Sequence, residues 1–165
     1  SKERAVDILN IFKPAFDKED ITWVGQNIKY DLMILKWYGF GLKGKTYDTM
    51  LAHYVIEPDG KRSMDLLSAK YLGYQPVSIE TLIGKKGKGQ GNMRDVPVEQ
   101  VKEYAAEDAD VTYQLKKVFN PMLDKQEVRR GFAEVEKPLV EVRGDMEYEG
   151  GGIDVGFLQD YSKEL

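Results

Sequence analysis

Asp108, in the stretch "EYAAEDADV" (residues 103–111), sits in a row that is otherwise apolar or aromatic. Steps of three and four along this segment give Val101, Tyr104, Asp108, Val111, Leu115, Val118 and Met122, the spacing of one helix face. A carboxylate on a core-facing row must be compensated or must titrate to the neutral acid. One resolution is a helix cap or an ion pair with a buried Lys or Arg. Tyr104 suggests another, because it stands one turn earlier on the same face and brings a phenol toward the carboxylate. Asp31 adds a second acid, early in a segment that follows a short β-branched run, where α/β folds collect ligands. Two acids and a phenol in such places suit metal-assisted phosphoryl chemistry. Glu107 and Asp110 fall off the row and are expected simply to be solvated.

Composition narrows the metal. With no cysteine and only His53, the 165 residues offer no thiolate or histidine cluster, so an ion would be held by oxygen, which favours magnesium, calcium or manganese. The net charge of -4 speaks against a broad phosphate-coating surface, while leaving room for a local site where ions bridge carboxylates to phosphates. No apolar run reaches the length of a membrane span, and the N-terminal "SKERAVDILN" has neither signal-peptide nor transit-peptide character, so the default expectation is a cytoplasmic protein with no membrane partner.

The elements that would position these residues follow from periodicity. Residues 4–16 read as a helix, 21–25 ("ITWVG") as a buried strand, and the segment after Asn27, a candidate N-cap, as a helix stopped by Gly39. Asp48, Ser63 and Ser78 each open a short helical segment. The longest helix runs from about Pro97 to Val118 and is expected to end at "NPML". A further helix surrounds Pro138, and after Gly150, Gly151 and Gly152 comes a helical segment with little of its own to pack on.

Three other features have ordinary and functional readings. "GKKGKGQGN" (84–92), with its glycines and lysines and no apolar residue, reads as a mobile surface loop that could touch a polyanion. It is not a P-loop, since Gln90 follows Gly89 where Lys is required and no strand precedes it. His53, without a second histidine, reads as a partly buried packing residue. Lys61 and Arg62 either meet a nucleic-acid backbone or form a solvated pair.

In order and spacing, "VGQNIKYDLMIL", "YDTMLAHYV", "SMDLLSAKYLGY" and "YAAEDADVTYQL" resemble the 3'-5' proofreading exonuclease domain of bacterial, family A DNA polymerase I, over roughly residues 5–125. The tail from "EVEKPLVEVRGDMEYEGGGID" resembles the start of the polymerase thumb. The resemblance implies a ribonuclease-H-like α/β fold over residues 1–125, N-terminally truncated, with a mainly helical extension over 126–165. It implies removal of nucleotides from a single-stranded or frayed DNA 3' end by two divalent ions, Mg2+ or Mn2+, with the rest of the polymerase chain as partner. By the same resemblance Asp31 and Asp108 are metal ligands and Tyr104 orients the attacking water, while Gln26, Asn27 and Tyr30 border the terminal nucleotides.

The family's Asp-x-Glu motif, expected several dozen residues before Asn27, is not in the sequence. The triplets Asp17-Lys18-Glu19 and Asp145-Met146-Glu147 lie outside β-branched strands and in the wrong order, and read as decoys. The expectation is weak ion binding and little activity for the 165 residues alone. Two other readings stay open: a degenerate exonuclease-like scaffold or single-strand binder within a polymerase, and an RNase D-like RNA exonuclease, against which the tail argues.

Overall fold

The computed structural model describes residues 2–164. Helix α1 (Lys2–Phe16) leads into strand β1 (Thr22–Gly25), helix α2 (Ile28–Trp37) and strand β2 (Lys45–Asp48). Helices α3 (Thr49–Ile56), α4 (Met64–Leu72) and α5 (Glu80–Ile83) follow, then a 3-10 turn at Met93–Asp95 and the long α6 (Val98–Lys125). Beyond it come the short α7 (Arg129–Gly131), a π turn at Phe132–Glu136, α8 (Lys137–Glu149) and α9 (Val155–Glu164). The protein is mixed α/β, mostly helical around a small sheet.

The two strands pair in parallel, Val24 opposite Tyr47 and Gly25 opposite Asp48. Both strands therefore end at one edge, and α2 and α3 both start there. Successive strand residues point to opposite faces. Tyr47 enters the core with Leu67, Val111, Leu115, Phe119, Leu123 and Phe132, whereas Thr46 lines a cleft with Leu32, Met33, Val140 and Gly144. The sheet thus lies between α6 on one side and the α2–α8 pair on the other. Aromatic contacts of Phe16 with Trp23 (5.7 Å) and Phe40 (6.1 Å) hold α1 to it.

Two boundaries differ from the sequence reading. Strand β2 was not expected: "KTYD" is too short for alternation to register, and only pairing with β1 defines it. Helix α6 does not end at "NPML" but continues through Pro121 to Lys125, because Phe119 and Leu123 are fully buried on either side of the proline and their packing holds the turn. The deepest row of α6 is Val111, Leu115, Phe119 and Leu123, so Val118 and Met122 flank the core instead of filling it.

Residues 129–149 pack back on the sheet and α2. Phe132 meets Tyr47 with ring centroids 5.2 Å apart, Lys29 pairs with Glu147, and Lys36 pairs with Asp145 at 2.7 Å. Asp17 of the other Asp-x-Glu triplet is likewise paired, with Lys13 (2.7 Å) and Lys43 (3.4 Å). Helix α9 is solvent-exposed along its described length.

Candidate active site

The common edge of the strands is organised by Asp48. Its carboxylate is 6% exposed and accepts four backbone N–H donors: Asn27 (3.1 Å) and Ile28 (2.9 Å) at the start of α2, and Met50 (2.9 Å) and Leu51 (3.2 Å) at the start of α3. One side chain thus satisfies the orphan donors of two helix N-termini. Burial pushes its carboxyl upward while the four donors pull it back. Asn27 occupies the N-cap position of α2, but its side chain makes no capping bond; its backbone is left-handed (φ 60°, ψ 49°), and Asp48 does the capping. Gly25 permits this tight turn, since a Cβ there would come within 2.9 Å of the Ile28 side chain.

Asp31 follows in the first turn of α2 and is exposed. Partial desolvation raises its carboxyl, and the charge of Asp48 adds to the shift. Tyr30 beside it is 60% exposed, its aromatic face open to solvent. Gln26 differs: its amide nitrogen donates to the Arg62 carbonyl (2.8 Å) and its amide oxygen accepts from the Thr49 hydroxyl, so both ends of the side chain are already engaged in holding the loop. The Arg62 guanidinium lies over the Tyr54 ring, 4.8 Å from its centroid, and bonds the Pro58 carbonyl; Lys61 is exposed.

On α6, Tyr104 and Asp108 come together as their spacing predicts, both half-buried. Burial raises the Asp108 carboxyl and outweighs the lowering by the neighbouring Tyr104 phenol, with Glu107 and Asp65 adding to the rise. The phenol is pushed to about 12, by burial first and then by the neighbouring carboxylate. Tyr104 is therefore a hydrogen-bond donor near neutral pH and not a base.

Glu107 corrects the sequence reading. It is not merely solvated: its carboxylate accepts from the Tyr74 hydroxyl and from the Val77 backbone N–H (2.7 Å), pinning the segment after α4 to α6 beside Asp108. Glu107 lies one turn before Val111 on the row that becomes the buried face, which the spacing could have revealed. His53 is more buried than expected, at 1% exposure. Its Nε2 lies 3.1 Å from the Tyr71 hydroxyl, its ring packs on Phe119, and its Nδ1 has no partner in the structure.

The predicted site residues come from two elements, Asp31 from the first turn of α2 near Asp48, and Asp108 with Tyr104 from α6. Among the described residues, no group of three or more Asp, Glu or His side chains could hold a metal ion. No helix among the described residues is long and apolar enough to cross a membrane.

Comparison with known proteins agrees with this architecture. The chain is 36% identical over 160 residues to DNA polymerase I of Rhizobium leguminosarum, covering 96% of this chain and 16% of that protein. It is 36% identical over 162 residues to DNA polymerase I of Pseudomonas aeruginosa (96% and 18%), and 34% identical over 149 residues to that of Bacillus subtilis (89% and 16%). The chain spans less than a fifth of the length of these relatives. Residues 2–124, which contain the strand edge, Tyr104 and Asp108, match the model of the 3'-5' exonuclease family, and the chain belongs to that family.

Proposed function

We propose that this chain is the exonuclease part of a DNA polymerase I and that it contributes to hydrolysis of mismatched nucleotides from DNA 3' ends. The observation that carries the proposal is the Tyr104–Asp108 pair, one turn apart on α6 within the matched family region. In this reading residues 1–125 form the exonuclease unit and 126–165 lead toward the polymerase. Asp31 and Asp108 supply two of the carboxylates for Mg2+ or Mn2+, and further ligands come from elsewhere in the parent protein.

The chain's own residues have definable tasks. Tyr104, protonated near neutral pH with its O–H directed at Asp108, offers its oxygen as an acceptor to an attacking water and so orients it without removing its proton. Tyr30 offers a face for the terminal base, and Asn27, held left-handed by Asp48, borders the nucleotide beside it. Arg62 and Lys61 are available to the phosphates, while Gln26 acts by fixing Arg62's loop. A frayed 3' end reaches such a site at lower cost than a paired one, which gives the selectivity for mismatches.

The test is trimming of a labelled single-stranded oligonucleotide with magnesium by the parent polymerase. Asp108→Ala should lower the rate by at least about a hundredfold, in the range of lost general catalytic groups. The 165-residue chain alone should trim no faster than its own Asp108→Ala variant. A parent polymerase that trims equally well with Ala at position 108 refutes the proposal.

A further inference from the structure

The segment pinned by Glu107 continues through α5 into residues 84–92, which carry Lys85, Lys86 and Lys88 and no acid. None of the three lysines makes an ion pair or hydrogen bond with a described residue, and the three lie within four positions of one another in a segment without an acid, in a chain whose net charge is -4. The loop itself is not shapeless. Its base is closed by the Gly91 N–H donating to the Ile83 carbonyl (2.7 Å) and by the Gln90 side chain donating to the Gly84 carbonyl (3.3 Å). A further turn is made by the Gln90 N–H on the Gly87 carbonyl (3.1 Å). Gly84 (φ 82°) and Gly87 (φ 155°) take backbone conformations that L side chains rarely adopt. The result is a closed loop whose tip presents three uncompensated cations.

We propose that residues 84–92 form a contact site for the phosphate backbone of single-stranded DNA, engaging the strand through Lys85, Lys86 and Lys88 outside the catalytic residues. The proposal rests on the exonuclease reading, which supplies the strand. The physical argument is counterion release: lysines with no internal partner displace ions condensed on a polyphosphate and gain affinity that falls with salt. A solvating role would call for no closed base. Because Glu107 ties Tyr74 and Val77 to α6 beside Asp108, the loop is carried on a segment anchored next to the catalytic pair, so a strand held by the lysines would be delivered toward it.

The experiment is fluorescence anisotropy of a labelled oligo(dT) with the full chain, titrated from about 50 to about 200 mM salt. The triple variant K85Q/K86Q/K88Q is compared with wild type and with K85R/K86R/K88R. Three lost phosphate contacts should lower the slope of log K against log[salt] by roughly 2. Wild type should then lose roughly fifteen-fold more affinity than the Gln variant over that range. The Arg variant should retain the wild-type slope, and unchanged circular dichroism melting would show that the Gln variant is folded. Wild-type binding with the same slope in the Gln variant overturns the loop assignment and leaves the exonuclease proposal standing. Loss of the slope in both variants overturns it as well, since charge is then not what the loop supplies. Failure of the parent polymerase to depend on Asp108 for trimming is a separate outcome that concerns only the catalytic reading.

Discussion

Replacing Asp48 by Asn tests the idea that one carboxylate holds the strand edge together. In the wild type Oδ1 accepts from Asn27, Met50 and Leu51, and Oδ2 from Ile28. The best an Asn can do is keep its oxygen at the Oδ1 position and place its amide nitrogen against the Ile28 N–H. One buried donor then loses its partner, at about 1–3 kcal/mol. The negative charge at two helix N-termini is also lost, at about 0.3–1 kcal/mol each. A neutral amide is easier to bury than a carboxylate, which offsets part of this, and the net destabilisation is about 2–3 kcal/mol. For a chain of this size that corresponds to a fall in Tm of roughly 4–12 °C. Urea titration should show a lower midpoint with an unchanged m value. A shift below about 0.5 kcal/mol would mean that the four bonds seen at Asp48 contribute little, and that neither Asn27 nor the start of α2 is positioned by it.

Two further outcomes follow from other parts of the structure. Burial lowers the pKa of His53, so the unfolded chain takes up a proton below about pH 6.5 before the folded chain does. Stability from this site is complete above that pH and is lost as pH falls through the window below it; His53→Gln should flatten that part of the urea-midpoint profile, and an identical pH dependence in the variant would contradict the reasoning. Glu107→Ala removes the acceptor for Tyr74 and the Val77 N–H, so hydrogen exchange at the Val77 amide should accelerate by about tenfold or more while core amides of α6 such as Leu115 stay protected. Unchanged exchange at Val77 would show that the segment is held by something else.

What the sequence disclosed and what it withheld divide along physical lines. The helices were visible because their apolar residues recur every three or four positions, and Asp108 stood out as a breach of that recurrence. Strand β2 and the dual role of Asp48 were not visible, since both depend on Gly25 lying opposite Asp48 across a parallel pair, a relation between residues far apart in sequence. Asp48 was read correctly as the start of α3, but local sequence cannot say that its other oxygen would reach α2. Asn27 looked like an ordinary cap for the same reason. Glu107 was misjudged because the row was drawn through Val118 and Met122, whereas packing selects Phe119 and Leu123 and so rotates the buried face by one residue.

That rotation has a mechanical meaning for α6. A helix of 28 residues is a rod of about 42 Å, and each residue is turned about 100° from the one before it. Val111, Leu115, Phe119 and Leu123 are clamped in the core, so they set the compass bearing of every side chain nearer the N-terminal end, including Tyr104 and Asp108, which are only half-buried and have less to hold them. The aim of the Tyr104–Asp108 pair is thus set by a buried row that begins about one turn away at Val111 and extends to about five turns away along the rod. A volume change at Phe119 that lets the rod roll by a few tens of degrees would re-aim Asp108 without touching it.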